Sequence, residues 1–213
     1  MAIAAGLRRI VCVAVCLCAT FGVQAAELAG LRILPRSDAG HSFPGWQSEG
    51  ALPSSSTVPL ELGDEIHGAT LQLQPSRPGG QYRVRVQYET SMGLSAEGPH
   101  LDLVDWKHCV SDWQPAEASD ALSFVLPEPT EEQSSCFPPY APAELEQAVR
   151  DLGRSMGDPA MAEAWLDDLR TPSSVIGVSP FVAISKVRVR VEVLRDGKWA
   201  DVATVAFMPA MGC

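Results

Sequence analysis

The chain has 213 residues, with 16 lysines and arginines against 26 aspartates and glutamates, and its formal net charge is −10. An acidic protein of this size repels nucleic acid and anionic membrane surfaces, so neither is expected as a partner. The same charge favours a basic protein partner by electrostatic steering, although it also serves solubility alone. The length suits one domain that can bury a core without extra staples.

The N-terminal residues are typical of a cleavable export signal. Arg8 and Arg9 precede an uncharged apolar run, 10–23, of 14 residues, and small residues follow it. This order is that of a secretory signal peptide, and the run is shorter than the roughly 20 residues that span a membrane. We therefore expect a signal peptide over 1–26 and a single β-rich domain over 27–213, periplasmic or secreted, with no membrane span after cleavage. An uncleaved anchor or a buried N-terminal helix is the alternative.

Three of the six cysteines lie in the expected mature domain: Cys109, Cys136 and Cys213. In an oxidising compartment one disulfide is expected, with one thiol left over. We favour Cys109–Cys136 because each residue lies beside the edge of a predicted element, although the other two pairings stay open. No Cys-x-x-Cys or His-x-x-x-His spacing accompanies them, so we expect no metal and no cofactor.

Alternation of apolar and polar residues predicts most of the mature chain as strands. Turn residues at 75–80 and a glycine-containing connection at 92–99 separate the central runs. Asp196 and Gly197 predict the turn of a C-terminal hairpin. The predicted strands are, in chain order, 31–34, 69–74, 81–89, 101–108, 122–126, 186–193 and 199–207.

A pair of helices is predicted before the last hairpin. Gly157 ends the first helix, and Asp158 and Pro159 begin the second as N-cap and first helical residue. The predicted buried stripes are Leu145, Val149, Leu152 and Met156 on the first helix and Met161, Trp165 and Leu169 on the second. The fold class is therefore expected to be mainly β (α+β), an antiparallel β-sandwich or a curved sheet with an inserted helical pair.

The polar faces of the two longest predicted strands are basic, which is unusual on an acidic protein. Arg83 and Arg85 lie on one strand, and Lys186, Arg188 and Arg190 lie on the other. If the strands are neighbours, these residues form one positive stripe that suits an acidic partner or an anionic envelope polymer. The alternative is that they pair with nearby acids on a solvated sheet face.

The densest group of chemically active side chains lies at 99–113. In a regular strand, alternation places its residues at 100, 102, 104, 106 and 108 on one face. Such a face suits the binding of a polar ligand or a partner protein, with tryptophan as an anchor. The alternative is that the tryptophans belong to the core and the other residues are solvated. The candidate binding residues are His100, Asp102, Trp106, His108 and Trp113.

The sequence supports no catalytic assignment. The segments 40–44 and 93–98 approach the Gly-x-Ser-x-Gly pattern of a serine hydrolase, but each lacks the last glycine in register. Cys109 as a nucleophile would have to be reduced, which an oxidising compartment opposes. We therefore assign no catalytic residue.

The leading functional hypothesis is a periplasmic binding or inhibitor module that acts through protein–protein contacts. Its concrete form is an immunity protein, or an inhibitor of an envelope-acting enzyme or toxin. One alternative is a small secreted hydrolase that uses the 99–113 region. Another is a structural component of an envelope or secretion assembly, with Cys213 forming an intermolecular bridge.

Overall fold

A computed structural model of the protein describes residues 27–36, 45–48, 50, 52–61, 64–96, 99–171 and 177–211. The expected signal peptide, the serine segment 40–44 and Cys213 lie outside these residues. The strands of the described part are β1 (Leu28–Leu34), β2 (Trp46–Gln47), β3 (Ser55–Pro59), β4 (Thr70–Pro75), β5 (Tyr82–Ser95), β6 (His100–Val110), β7 (Gln114–Pro115), β8 (Glu117–Ala118), β9 (Ser123–Val125), β10 (Ser179–Arg195) and β11 (Lys198–Met208). The helices are α1 (Glu131–Ser135), α2 (Pro142–Met156) and α3 (Pro159–Arg170).

The strands form two sheets. The smaller sheet has the spatial order β2-β1-β4-β9-β8, and the larger has the order β3-β11-β10-β5-β6, with the short β7 also paired to β5. Paired strands are antiparallel, except that β3 runs parallel to β11. One of the two sheets curls into a half-barrel. The predicted fold class, mainly β with two packed or curved sheets and a helical pair, is confirmed.

The larger sheet is built around β5 and β10, which are 14 and 17 residues long. Both strands alternate β-branched or aromatic residues with polar ones, so one face is apolar and the other charged. The apolar face is the inner face, which packs into the core. Its central valines are at most 1% exposed: Val84, Val86, Val189 and Val191.

Strand β5 is longer than the sequence predicted. It continues through Ser95 beside β10, so the predicted connection at 92–99 is wrong for 92–95, and only 96–99 separate β5 from β6. Met92 and Leu94 are buried in a second cluster that includes residues of α2 and α3. The burial of these two side chains explains why a run containing a glycine stays extended.

The inner face of the larger sheet is covered by two different layers. The first half of β5 packs against the smaller sheet, with Leu31, Leu71 and Phe124 in the shared core. The second half packs against the helices, with Val149 of α2 and Leu166 of α3 in the core there. The other face carries the charged residues and is called the outer face below.

The helical boundaries follow the capping residues named from the sequence. Gly157 ends α2 in the left-handed conformation (φ 74°), where glycine has no steric cost. Asp158 caps α3 by accepting a hydrogen bond from the backbone N–H of Met161 at 2.9 Å, and Pro159 is its first residue.

The buried stripes of the helices were predicted only in part. Leu145 and Val149 are buried, but Met156 is 62% exposed and its assignment to the stripe is wrong. On α3 the fully buried residues are Ala162 and Leu166, whereas the three predicted residues are partly buried. The reason is a close approach of the helices, since a Cβ on Gly153 would lie 2.5 Å from the Cβ of Ala162.

The predicted hairpin joins β10 to β11. Its turn residues, Asp196 and Gly197, both have positive φ, 49° and 74°. This is the backbone of a two-residue type I′ turn, whose twist matches that of the strands.

The Cys109–Cys136 disulfide favoured from the sequence is present. It connects β6 to the residue that ends α1, with a Cα–Cα distance of 5.8 Å and a sequence separation of 27. The Thr90 hydroxyl donates to the carbonyl oxygen of Cys136 beside the bridge. The disulfide therefore fixes the segment before α2 to β6 of the larger sheet.

Candidate functional site

The outer face is built by the register of β5 and β10. Each polar residue of β5 lies directly opposite one of β10 because the strands pair in regular antiparallel register between 82 and 89. The cross-strand pairs are Arg83 with Glu192, Arg85 with Arg190, Gln87 with Arg188 and Glu89 with Lys186. The two basic strands are thus neighbours, as the hypothesis of a positive stripe required.

Glu89 is the carboxylate at one end of this face. Its side chain is 5% exposed and accepts hydrogen bonds from Lys186 and Arg188. Burial alone would raise the pKa of Glu89, but the hydrogen bond from Lys186 and the charges of both cations outweigh it and hold the pKa below its ordinary value. Glu89 is therefore a charged group with its partners in place.

Glu192 is the corresponding carboxylate at the other end. Arg83 donates to both of its oxygens, at 2.8 and 2.9 Å, in a bidentate pair. This hydrogen bonding lowers the pKa of Glu192 and outweighs the burial of a side chain that is 6% exposed. The Arg83 guanidinium also lies over the ring of Trp199, 4.4 Å from its centroid.

Between these two ends, Arg85 and Arg190 face each other without a carboxylate between them. Arg85 donates to the backbone carbonyl of Trp113 at 3.2 Å. The Arg190 guanidinium lies over the Trp113 ring, 4.1 Å from its centroid. Its nearest carboxylate is that of Asp201, with 3.8 Å between Arg190 Nε and Asp201 Oδ2. Arg190 Nε is buried and has no hydrogen-bond partner.

The outer face therefore has a local charge opposite to that of the whole chain. It carries five cationic side chains, on β5 and β10, and three carboxylates, those of Glu89, Glu192 and Asp201, which leaves a surplus of two positive charges. Four of the cationic side chains are between 25% and 39% exposed, so this face is partly open to solvent: Arg83, Lys186, Arg188 and Arg190. The predicted pairing with nearby acids is confirmed for Arg83, Lys186 and Arg188, and for Arg190 through its longer ion pair with Asp201. Arg85 departs from it, since it forms no ion pair with a described carboxylate.

The predicted ladder on β6 does not form one face. Strand β6 pairs with β5 at Leu103 and next at His108, so the residues 104–107 are inserted as a large bulge. His100 and Asp102 lie before this bulge, with 3.5 Å between His100 Nε2 and Asp102 Oδ2. His108 lies after it and is exposed.

Trp106 lies within the bulge and turns toward the helical side. Its ring packs against Phe137 and Tyr140, with centroid distances of 5.9 and 5.5 Å. The adjacent Lys107 reaches α2, where Nζ lies 2.9 Å from Glu144 Oε1. This aromatic packing explains why the alternation of a regular strand failed here. Trp113 follows β6 and joins the outer face through Arg85 and Arg190, so it lies apart from the binding residues with which it was grouped.

Asp102 has a different environment from the two glutamates of the outer face. It follows the buried Leu101 along β6 and lies opposite Gly93 in the pairing with β5. Burial raises its pKa, and the opposing charge effect of His100 is smaller. Its Oδ1 is buried without a hydrogen-bond partner. Asp102 borders a cavity of about 310 Å³ between the β6 bulge and α2, where Trp106 and Asp151 also contribute to the lining.

The described residues contain no group of three or more histidine, cysteine, aspartate or glutamate side chains that is arranged to hold a metal ion. In the same part of the chain, no hydrogen bond links His100 or His108 to a serine, threonine or cysteine side chain. None of the described helices has the length and apolar character needed to cross a membrane.

Sequence reasoning missed the arrangement of Arg85, Arg190 and Trp113. The basic residues were recognised as a stripe, and Trp113 was chosen as a binding residue, but the two were assigned to different surfaces. Their connection depends on β7, which pairs with β5 at Arg85. A two-residue strand leaves no periodic signal, so the pattern of apolar residues did not reveal it.

Comparisons with protein-family models, curated proteins and solved structures found no match to this chain.

Proposed function

We propose that this protein is an exported binding module, periplasmic or secreted, which acts through protein–protein contacts as an immunity protein or as an inhibitor of an envelope-acting enzyme or toxin. The observation that carries the proposal is the pair of arginine–tryptophan stacks on the outer face. Arg190 lies over Trp113 and Arg83 lies over Trp199, on a face that is partly open to solvent.

Tryptophan and arginine are the side chains most enriched among residues that dominate binding energy at protein interfaces. In this protein both tryptophans are half-buried and held by a guanidinium. A side chain already fixed in place loses little rotamer freedom when a partner binds. The outer face therefore offers rigid aromatic anchors with cations beside them, which supports binding to another protein.

The export part of the proposal rests on the N-terminal sequence and the disulfide. A basic start, an apolar run and small residues precede position 27. The Cys109–Cys136 bridge agrees with an oxidising compartment. Cleavage after residue 26 removes two arginines and no acids, which leaves a mature net charge of −12 from 14 basic and 26 acidic residues. Such a charge favours capture of a basic partner at long range.

The test is affinity capture of the mature, oxidised protein from an envelope extract, followed by mass spectrometry of the retained proteins. We expect one basic enzyme or toxin in stoichiometric amount. Its activity should fall when the protein is added at an equal concentration. A matched pair of variants, Trp113→Ala and Trp199→Ala, should lose the retained protein, whereas Arg154→Ala on the exposed side of α2 should keep it.

Two outcomes would count against the proposal. An extract that yields no stoichiometric partner removes the binding module, and equal capture by the wild type and both tryptophan variants removes the outer face as its site. The export part is checked separately by the intact mass of the protein recovered from the producing cell, which should begin at residue 26 or 27. Retention of the first 26 residues in that mass would contradict export with cleavage.

A further inference from the structure

The cross-strand pair of Arg85 and Arg190 is unfavourable for folding by itself. Directly opposite residues on one face of an antiparallel pair have their Cβ atoms about 5 Å apart, and like charges there are destabilising. Arg85 and Arg190 occupy such positions. The neighbouring pair, Arg83 with Glu192, shows that the same face accommodates a carboxylate opposite an arginine.

The donors of these two guanidiniums are only partly used. Each guanidinium carries five N–H groups and no acceptor. Arg85 makes one hydrogen bond, to the carbonyl of Trp113. Arg190 Nε has no partner within hydrogen-bond distance, and the carboxylate of Asp201, 3.8 Å away, is itself 61% exposed. In contrast, Arg83 and Arg188 each donate to a carboxylate that is at most 6% exposed.

Trp113 holds both guanidiniums in place. Its carbonyl accepts from Arg85, and its ring lies under Arg190. The residues that follow it, Gln114 and Pro115, pair with β5 and fix its position. Two cations that repel each other are thus kept side by side. Arg190 Nε is buried, so the N–H groups left for an anionic acceptor from outside are the terminal ones of Arg190 and those that Arg85 does not use.

We propose that Arg85, Arg190 and Trp113 form a subsite that binds a carboxylate, namely an aspartate or glutamate side chain of a protein partner. A planar guanidinium matches a carboxylate through two parallel hydrogen bonds. An extended anionic polymer fits less well, because the surplus on the outer face is two positive charges whereas the chain carries −10. This inference deepens the proposed function, since it names the chemistry that the partner presents to the outer face.

The experiment uses a short peptide as the probe, so that no natural partner is needed. The oxidised mature protein, labelled with ¹⁵N, is titrated with acetyl-Gly-Glu-Gly-amide, and the Nε–Hε signals of its arginines are followed by NMR. Variants Arg85→Lys and Arg190→Lys assign the two signals. We expect a saturable shift of both signals in the millimolar range, with no shift for Arg83 or Arg188.

Two matched ligands control for chemistry. The peptide acetyl-Gly-Gln-Gly-amide lacks only the charge, and inorganic phosphate at equal ionic strength supplies a different oxyanion. Binding of the glutamate peptide alone, or binding tighter than that of phosphate, supports the proposal. Equal shifts with the glutamine peptide, tighter binding of phosphate, or no saturable shift would each overturn it.

Variants separate this subsite from the proposed function. Arg85→Gln or Arg190→Gln should weaken the peptide about tenfold or more, and Arg154→Gln should not. The melting temperature of each variant shows whether it is folded. If the peptide binds but no protein is captured from the envelope extract, the subsite stands and the partner proposal fails. If a partner is captured equally by the wild type and Arg85→Gln, and the peptide does not bind, the subsite fails while the binding function stands.

Discussion

Two adjacent cross-strand pairs on the outer face differ by a single kind of residue. Arg83 faces Glu192, and two positions along the same strands Arg85 faces Arg190. The first pair is bidentate and its carboxylate is buried, whereas the second has two cations and one unused buried donor. In each pair one arginine stacks on a tryptophan, Arg83 on Trp199 and Arg190 on Trp113.

On this one surface, the first pair contributes to folding stability, whereas the second is the pair that we connect with function. In a folded protein most local choices agree with the fold, and a local conflict held in place by its surroundings is expected at a functional position. The Arg83–Glu192 pair agrees with the fold because charge and geometry are complementary. The Arg85–Arg190 pair conflicts with it because two like charges face each other. Trp113 holds both side chains in place, through its carbonyl oxygen for Arg85 and its ring for Arg190.

The largest expected effect comes from breaking the complementary pair. Glu192→Gln removes the charge that Arg83 binds while keeping the shape of the side chain. We expect the free energy of unfolding to fall by about 2 kcal/mol, the value of hydrogen bonds to a charged group, since Arg83 itself is 39% exposed and can be solvated. Urea denaturation of the oxidised protein at pH 7 measures it. Glu132→Gln, an exposed glutamate on α1, is the control and should change stability by less than about 0.5 kcal/mol.

The ion pairs of Glu89 and Glu192 should also make the folding stability depend on pH. The pKa values of Glu89 and Glu192 are held below their ordinary range in the folded state. A depressed carboxyl pKa contributes stability that is present above the ordinary glutamate pKa of about 4.3 and is lost as pH falls through the folded value. The wild type should therefore lose stability below about pH 4.3 more steeply than the double variant Glu89→Gln/Glu192→Gln. Parallel curves for the two proteins, from urea denaturation between pH 7 and 3, would show that the ion pairs do not contribute in this way.

The sequence predicted the parts of this comparison that depend on periodicity. Regular alternation along β5 and β10 was enough to predict the regular parts of both strands, their inner face and the basic outer face, but not the extensions of β5 to Ser95 and of β10 back to Ser179. The hairpin turn at Asp196–Gly197 and the caps at Gly157 and Asp158 followed from residues with special backbone preferences. These features are local, so one segment contains all the information they need.

The parts that were missed depend on contacts between distant segments. The bulge at 104–107 exists because Trp106 finds Phe137 and Tyr140, which lie about thirty residues away in the chain. Of the predicted binding residues, His100 and Asp102 are close together and the other three are separated. Trp113 contacts Arg190, which is 77 residues away in the sequence. No pattern within either segment predicts that contact.

Asp102 is a third carboxylate, and its environment differs from that of Glu89 and Glu192 because its one described cationic neighbour is His100. Asp102 has a raised pKa, so above that pKa its charge costs folding stability, and the cost disappears as pH falls and the group is protonated. Asp102→Asn should therefore raise the free energy of unfolding at pH 7 by up to about 1 kcal/mol. The gain should vanish below the ordinary aspartate pKa of about 3.9. Thermal unfolding at pH 7 and at pH 3 measures both, and Asp105→Asn, at an exposed neighbour, is the control.

The smallest expected effect comes from relieving the conflicting pair. Arg85→Gln removes one of the two facing cations and leaves Arg190 on Trp113, so we expect a gain in stability of about 0.5 kcal/mol at low salt. The matched change Arg83→Gln removes the partner of Glu192 and should be destabilising. Opposite signs for the same substitution, two residues apart on one strand, would separate the two pairs directly. Urea denaturation in 10 mM salt is the measurement.

Salt provides the control that identifies the cause of this gain. Between 10 and 150 mM salt the screening length falls from about 30 to about 8 Å, which weakens repulsion between partly exposed charges. The advantage of Arg85→Gln over the wild type should therefore shrink by a few tenths of a kcal/mol. Arg154→Gln makes the same change in net charge on α2, so it corrects for the general repulsion within an acidic chain. If Arg85→Gln destabilises the protein at both salt concentrations, Arg85 contributes to folding through its bond to Trp113, and the contrast between the two pairs is lost.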